Sequence, residues 1–242
     1  MRRYRGSLML PSPANVSASS RHLHMQKWRG RVGMTLAASL SVLAGMTDAI
    51  GFMATGDFVS FMSGNTTRLA VAISDGDLNV TARLSLAIFT FIVGNALGVV
   101  VARLGGRRAL PLLLSIATLL CAAAAWPLES NILALVWAIL AMGMLNAAVE
   151  QVNGLPVGLT YVTGALSRFG RGLGRWMLGE RRDGWRIQLI PWAGMFIGAV
   201  IGAILEQRLG LDALLVSGSL SALLGLVSLS IPHRWQRRYM PR

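Results

Sequence analysis

Six long apolar runs dominate the pattern of hydrophobic and polar positions along the chain. A helix needs about 20 apolar residues to cross the hydrocarbon core of a bilayer, and each run approaches or reaches that length. The pattern therefore predicts six transmembrane helices, at residues 33–53, 84–104, 109–127, 131–150, 187–206 and 211–231.

Two further segments, 57–73 and 155–178, mix apolar residues with hydroxyl, amide and arginine side chains. Neither has the uninterrupted apolar character of a span. We predict that each forms a short interfacial or re-entrant helix. Membranes allow such a helix only where protein or a wet cavity satisfies its backbone.

The distribution of positive charge predicts the orientation. Basic residues collect before the first span, between the second and third, between the fourth and fifth, and after the sixth. If six spans are drawn, all these blocks fall on one side, which the positive-inside rule assigns to the cytoplasm. We therefore expect a multi-pass protein of the bacterial inner (plasma) membrane with both termini in the cytoplasm.

Self-comparison indicates an internal repeat. Three strings in the first half recur in order in the second half, at offsets of 98, 100 and 104 residues: Gly45–Ala49 with Gly143–Ala147, Ser63-Gly64 with Thr163-Gly164, and Phe91–Gly98 with Met195–Gly202. A unit of three spans is odd, so the second unit must be inverted in the membrane. Inverted repeats are a recurrent transporter design.

These patterns predict an all-α fold, a polytopic membrane helical bundle. Its six transmembrane helices form two inverted three-helix repeats, each with an extra short polar or re-entrant helix. We divide the chain into a disordered basic cytoplasmic arm (1–31), a first repeat (32–127), a second repeat (128–232) and a basic cytoplasmic tail (233–242).

Composition supports a lipid environment. The 242 residues are 54% hydrophobic and 14% charged, against about 25% charged in a typical soluble domain. The net charge of +13 would suggest nucleic acid in a soluble protein. Here the basic blocks alternate with apolar runs, so we expect no specific nucleic-acid partner, only attraction to anionic lipid headgroups.

The chemistry of enzymes is poorly represented in the sequence. The single cysteine, Cys121, lies in an apolar run, and the three histidines lie in the polar ends. The chain contains no phosphate-binding loop, paired-histidine metal motif or nucleophile elbow. We therefore expect no enzymatic activity, no cofactor and no metal site.

Asp48 is the sharpest candidate functional residue. It lies in the outer part of the first span, where an ionisable group is expensive and faces a partner or water. Two interpretations are open, a proton or ion site and a structural hydrogen bond to a neighbouring segment. Glu150 ends the fourth span, as a second ion-site candidate or an interfacial residue, and Asn146 aligns with Asp48 in the repeat.

Small and hydroxyl groups flank a glycine in both polar segments. We expect a solute site formed by Asp48 and the residues Ser63, Asn65, Thr66, Asn146 and Thr163, although the same pattern is common where helices pack closely. Small residues spaced by four positions indicate helix packing, and these are Gly94, Gly98, Gly194, Gly198 and Gly202.

The string Ala44-Gly-Met-Thr-Asp-Ala-Ile-Gly-Phe52, followed by Met62-Ser-Gly-Asn65, resembles the YoaK-like family of bacterial membrane proteins, a domain-of-unknown-function group. The resemblance covers residues 34 to 231. Ser63 replaces the usual threonine, which keeps a hydroxyl group. The resemblance implies a six-span inner-membrane protein and supplies no substrate or activity.

Two functions fit these observations. The first is a small secondary transporter or permease for a small solute whose identity the sequence does not specify. The alternative is a non-transporting membrane scaffold, assembly partner or sensor. The expected partners are the lipid bilayer and a small-molecule solute, and the sequence leaves the oligomeric state open.

Overall fold

The computed structural model describes residues 13–125, 131–146, 148, 151–152, 155–156, 162–180 and 184–239. Helices make up most of this part of the chain. In order they are α1 (Pro13–Thr55), α2 (Met62–Ser74), α3 (Leu78–Leu104), α4 (Ala109–Ala125), α5 (Asn131–Asn146), α6 (Val162–Met177), α7 (Leu189–Leu209), α8 (Ala213–Ser228) and α9 (His233–Tyr239). Single 3-10 turns, Trp185–Gln188 and Gly210–Asp212, precede α7 and α8.

Between α5 and α6 the chain forms a minimal antiparallel strand pair, β1 (Gln151–Val152) and β2 (Leu155–Pro156). Gln151 faces Pro156, and Val152 faces Leu155. This pair is too short to alter the helical class of the fold.

The helices follow the apolar pattern closely. One helix covers most of each apolar run, while α2 and α6 occupy the two polar segments. α3 begins at Leu78, six residues before the predicted start, because the Asp77 side chain caps it by accepting a hydrogen bond from the Val80 amide (3.0 Å). α5 ends at Asn146, four residues before the predicted end.

The N-terminal arm differs from its prediction. Residues 1–31 were expected to be disordered, but α1 begins at Pro13 and runs without a break into the first apolar run. Proline is well suited to the first turn of a helix, because its missing N–H would have no partner there. The prediction is wrong for residues 13–31, and residues 1–12 lie outside the described part of the chain.

The core lies around α1, α4 and α5, and its largest fully buried side chains include Leu40, Leu43, Leu112, Ile116 and Ile139. The outer helices α3, α7 and α8 instead expose large apolar side chains along their lengths. Examples are Phe89 and Ile92 on α3, Phe196 and Ile197 on α7, and Leu223 and Leu226 on α8. A continuous exposed apolar surface of this kind is typical of a protein surrounded by lipid.

Among the described residues, three continuous segments are long and apolar enough to cross a membrane: Gly30–Thr55, Leu78–Leu104 and Trp185–Ser228. The third contains α7 and α8 in succession. α4 and α5 are apolar but shorter. Helix length by itself thus supports three spans, and it does not establish the predicted six.

Three helix pairs make the most extensive contacts: α1 with α7, α3 with α5, and α4 with α8. In the last pair, Ser221 of α8 donates a hydrogen bond to the Leu113 carbonyl of α4 (2.8 Å). At the ends of the same helices, the buried Gln236 of α9 donates to the carbonyls of Ser228 and Ile231 and accepts from the Ala109 amide (2.7, 2.9 and 2.8 Å). α9 is thereby fixed to the junction of α4 and α8.

Candidate functional site

The Asp48 carboxylate is hydrogen-bonded to the backbone of the loop that follows α1. Its Oδ1 atom accepts hydrogen bonds from the amides of Val59 (2.8 Å) and Ser60 (2.7 Å), and the residue is only 7% exposed. The chain leaves α1 at Thr55 and turns through Gly56, whose φ of +78° favours glycine. The turn brings residues 57–61, which we call the α1–α2 loop, back over the end of the helix.

Asn65 of α2 holds the same loop from the other side. Its Nδ2 atom donates to the Phe58 carbonyl (2.7 Å), and its Oδ1 atom accepts from the Phe58 amide (3.2 Å). The side chain therefore pairs with both backbone groups of one residue, much as a neighbouring strand would. Asn65 is completely buried, so this pairing leaves little of the amide free for a solute.

Apolar contacts complete the loop's attachment. The Phe58 ring stacks on Phe52 of α1, with ring centroids 4.6 Å apart. A Cβ atom on Gly51 would lie 2.9 Å from Val59 Cγ1, and one on Gly64 would lie 2.6 Å from Phe61 Cδ1. The residues around Asp48 and those around Asn65 thus both hold the α1–α2 loop in place between α1 and α2.

A charged cluster lies at one end of this loop. The fully buried Asp57 carboxylate approaches Arg68 Nη1 of α2 through Oδ1 and Arg83 Nε of α3 through Oδ2, both at 2.6 Å. Arg68 also donates to the Gly56 carbonyl (2.5 Å). One carboxylate therefore joins the loop, α2 and α3, and its charge is offset by two partly exposed guanidinium groups.

The other residues expected to form a solute site are spread over the molecule. Ser63 and Thr66 are exposed on α2, where Thr66 donates to the Met62 carbonyl of its own helix. Thr163 is exposed on α6, and Asn146 donates to Met142 of its own helix (3.2 Å). Glu150 lies outside the described residues. The structure therefore brings Asp48 and Asn65 together, and the second-half candidates do not join them through these bonds.

Among the cavities bounded by described residues, three of about 270 to 550 Å³ lie away from Asp48. One is bounded by α2 and α3 near Arg68 and Asp75, one by α8 and α9 near His233, and one by α4 and α8 near Cys121. Neither Asp48 nor Asn146 lines any of them. Among the described residues, no three His, Cys, Asp or Glu side chains come together as metal ligands would.

Comparison with known proteins places this architecture in a family. The family model "Protein of unknown function (DUF1275)" matches residues 36–227. The chain is also 49% identical over 226 residues to the UPF0700 transmembrane protein RA0705 of Rhizobium meliloti (strain 1021), covering 93% of this chain and 99% of that protein. The chain belongs to the DUF1275 family. No solved structure matches it.

Membership of the DUF1275 family confirms the resemblance drawn from the Asp48 and Asn65 motifs, and the relative's description as a transmembrane protein agrees with the apolar surface of α3, α7 and α8. This chain is therefore an integral membrane protein of a family without an assigned activity. The matched region includes the α1–α2 loop, its two polar anchors and the Asp57 cluster.

Four of the glycines predicted to pack helices in this DUF1275 protein lie against neighbouring backbones. A Cβ atom on Gly94 of α3 would lie 2.5 Å from the Leu140 carbonyl oxygen of α5. Gly194, Gly198 and Gly202 of α7 lie against the carbonyls of Ala38, Val42 and Met46 of α1, and Gly98 is buried on α3. No side chain can be added at Gly198 without moving backbone.

Sequence reasoning missed two sets of residues. Arg83 lies just before the apolar run of α3, and its ion pair with Asp57 was not predicted. The signal was available, since Asp57, Arg68 and Arg83 are charges at the edge of otherwise apolar segments, where opposite charges pair. Gln236 carried no comparable signal, because its partner Ala109 is 127 residues away in the chain.

Proposed function

We propose that this protein is a small secondary transporter of the inner membrane, built from two inverted three-span repeats. It would move a small solute and would have no enzymatic activity or cofactor. The observation that supports this proposal is the equivalence of two helix pairs, α1 with α7 and α3 with α5.

The two helix pairs make equivalent contacts, with the roles of the first and second halves of the chain exchanged. Gly45 of α1 lies against the Met195 carbonyl of α7, while Gly143 of α5 lies against the Phe91 carbonyl of α3 (2.6 Å to the built Cβ). Gly45 and Gly143 are 98 residues apart, and Phe91 and Met195 are 104 apart, the same offsets as in the sequence repeat. The first helix of each half therefore packs on the second helix of the other half.

A second pair of contacts follows the same offsets, but here the glycine lies on the other helix of each pair. Gly198 of α7 lies against Val42 of α1, and Gly94 of α3 lies against Leu140 of α5. These residues again differ by 104 and 98 positions. Two contacts related by one pair of offsets are the expected consequence of a two-fold relation between the halves, which supports an internal repeat.

The short helices support the same relation. α2 and α6 start 100 residues apart, and their first nine residues share one order of buried, half-buried and exposed positions. Asn65 and Ala165 are the buried residues at the equivalent position. With three spans per half, α2 and α6 would approach from opposite faces of the bilayer. The positive-inside rule would put α6 and both termini in the cytoplasm.

Inverted repeats suit transport because either half can take up the conformation of the other, which opens the pathway to each side in turn. In this scheme the seated α1–α2 loop closes the outer mouth. The bonds from Asp48 to Val59 and Ser60 would break when that mouth opens. Asp48, with Asn65 and Thr66, would then be free for a solute or proton, and Asn146 and Thr163 would act at the inner mouth.

A non-transporting scaffold, assembly partner or sensor is the second candidate. It is favoured by the hydrogen bonds from the α1–α2 loop to Asp48 and Asn65, because these bonds give both side chains an adequate structural role. In this case the α1–α2 loop would remain seated throughout, and Asp48 would contribute to stability alone.

The test is solute flux in liposomes. Purified full-length protein is reconstituted into vesicles loaded with a bacterial small-molecule extract, and mass spectrometry follows which compounds are lost. We expect a restricted set of compounds to leave, with Asp48→Asn vesicles and protein-free vesicles retaining them. If Asp48→Asn vesicles and wild-type vesicles retain every compound as protein-free vesicles do, the transporter proposal fails and the scaffold is favoured.

A further inference from the structure

Helix α6 has three distinct sides. One side packs on the protein: Gly172 lies against Trp185 so closely that a Cβ would overlap it, Ala165 is buried, and Arg168 Nε donates to Gln188 Oε1 (2.7 Å). Phe169 also contacts the Trp185 ring, with centroids 5.0 Å apart. The orientation of α6 about its own axis is therefore set by the turn that precedes α7.

A second side is apolar and exposed. Leu166, Leu173 and Met177 follow at spacings that return to the same face of a helix, and they are 40%, 37% and 74% exposed. Trp176, four residues after Gly172 and so on the packed side of the helix, is also exposed near its end. Within the described residues nothing covers these side chains, so in water this helix would present a continuous apolar strip.

The third side is basic. Arg171 and Arg175 are exposed, and at about 100° per residue they lie roughly 160° around the helix from the apolar strip. α6 contains no acidic residue, and the Arg186 guanidinium lies over the Trp185 ring nearby (5.3 Å). An apolar side opposite an arginine side is the arrangement of a helix lying in the plane of a membrane surface.

The composition of α6 argues against a span. Its 16 residues carry three arginines, Arg168, Arg171 and Arg175, and no acidic residue, and a charged side chain in the hydrocarbon core is costly. A helix along the surface would bury the strip of Leu166, Leu173 and Met177 among acyl chains, while Arg171 and Arg175 reach headgroup phosphates.

The equivalent helix α2 lacks the basic side. Val71 and Asp75 stand 100 residues before Arg171 and Arg175, and both are exposed. The two helices share their pattern of burial, so packing within the protein does not require the arginines. The difference instead matches a ligand with negative charge on the α6 side only.

We propose that α6 lies in the headgroup layer and binds anionic phospholipid through Arg171 and Arg175, with Leu166, Leu173 and Met177 inserted among the acyl chains. This inference does not depend on transport. The cytoplasmic leaflet of the membrane carries anionic lipid that attracts basic segments close to its surface, and in the orientation proposed above the charge of α6 complements this leaflet.

The experiment attaches a label at one introduced cysteine. Because the protein has a single cysteine of its own, one substitution gives the cysteine-free background that this requires. In a Cys121→Ala background, Leu173→Cys carries a fluorescent label, and the full-length protein is reconstituted into nanodiscs. The bilayers contain phosphatidylcholine with about 30 mol% phosphatidylglycerol, and either lipid carries a spin label that quenches on contact. We expect the phosphatidylglycerol quencher to be at least about twofold more effective than the phosphatidylcholine quencher.

Two controls separate lipid binding from other causes. Arg171→Gln with Arg175→Gln should remove the preference while leaving quenching by phosphatidylcholine, which shows that the helix is still in place. Ile73→Cys, the equivalent position on α2, should show no preference. Equal quenching by both lipids at position 173 would overturn the proposal. The proposal would also be overturned if a soluble polyanion such as heparin or RNA protected the label from quenching while no preference between the two lipids was seen.

Discussion

Asp48 of α1 and Asn65 of α2 hold neighbouring parts of one loop, since Asp48 accepts from the amides of Val59 and Ser60 and Asn65 pairs with both backbone groups of Phe58. The two helices are thereby joined through six residues of irregular backbone, 56–61. Such backbone is tolerated at membrane depth only when protein satisfies its polar groups. The strings around Asp48 and Asn65 are, in structural terms, a means of satisfying them.

Replacement of Asp48 tests this role directly. Asp48→Ala leaves two buried amides without an acceptor, which costs about 1–3 kcal/mol for each group. We expect a marked fall in the thermal unfolding midpoint of the detergent-purified protein. Asp48→Asn keeps a carbonyl oxygen at the same place and should lose much less.

Thr66→Ala is a suitable comparison for Asp48→Ala, because the Thr66 hydroxyl is exposed and bonds only to its own helix. Its midpoint should stay close to that of the wild type. An Asp48→Ala protein that unfolds at the wild-type temperature would show that the seated loop contributes nothing to stability.

The ion pairs of Asp57 should be energetically coupled. The carboxylate is completely buried, but the Arg83 side chain is 32% exposed, so we expect a coupling of about 1–2 kcal/mol, between the values for surface and buried pairs. A double-mutant cycle of Asp57→Asn and Arg83→Gln, measured by denaturant unfolding, gives this quantity. Pairing Asp57→Asn with Arg208→Gln, an exposed arginine of α7, should give additive effects. Additivity in both cycles would mean that the Arg83 contact has no energetic weight.

The glycine contacts of α7 predict a strong difference between two chemically identical changes. Gly198→Ala would place a methyl group against the Val42 carbonyl, and such overpacking costs about 1–3 kcal/mol. Gly170→Ala on α6 meets no atom within 4 Å and should gain up to about 1 kcal/mol from helix propensity. Unfolding midpoints of the two variants, compared with the wild type, measure the difference. Equal effects would contradict close packing of α1 on α7.

The positions of the helices could be predicted because a long apolar run in a membrane protein must satisfy its backbone polar groups internally, which favours a helix. The limits of this reasoning appear at particular residues. α3 starts at Leu78 because Asp77 caps it and Asp57 accommodates Arg83, and an apolar run cannot reveal either partner. α1 extends back to Pro13 through a polar segment that has no periodic apolar pattern, so the signal that located the other helices is missing there.

The surroundings of Asp48 could be predicted less well for a physical reason. An aspartate in an apolar helix must have a partner, and both the functional and the structural interpretation of Asp48 satisfied that requirement. The actual partners are backbone amides 11 and 12 residues further along the chain. Backbone groups carry no sequence signal, whereas side-chain partners such as Asn65 do.

The inverted arrangement predicts that the two short helices are reached from opposite sides of the membrane. Asn79→Cys, beside the connection from α2 to α3, and Leu178→Cys, just after α6, are both exposed positions. In the Cys121→Ala background, a membrane-impermeant maleimide added to spheroplasts should label Asn79→Cys at once, but Leu178→Cys only after the membrane is opened with detergent. The cause is the odd number of spans in each half, which places equivalent connections on opposite faces.

The wild-type chain, whose Cys121 lies on the apolar helix α4, should remain unlabelled in both conditions. Labelling of both introduced cysteines in intact spheroplasts would put α2 and α6 on one face, and the pairing of α1 with α7 and of α3 with α5 would then need an explanation other than inversion.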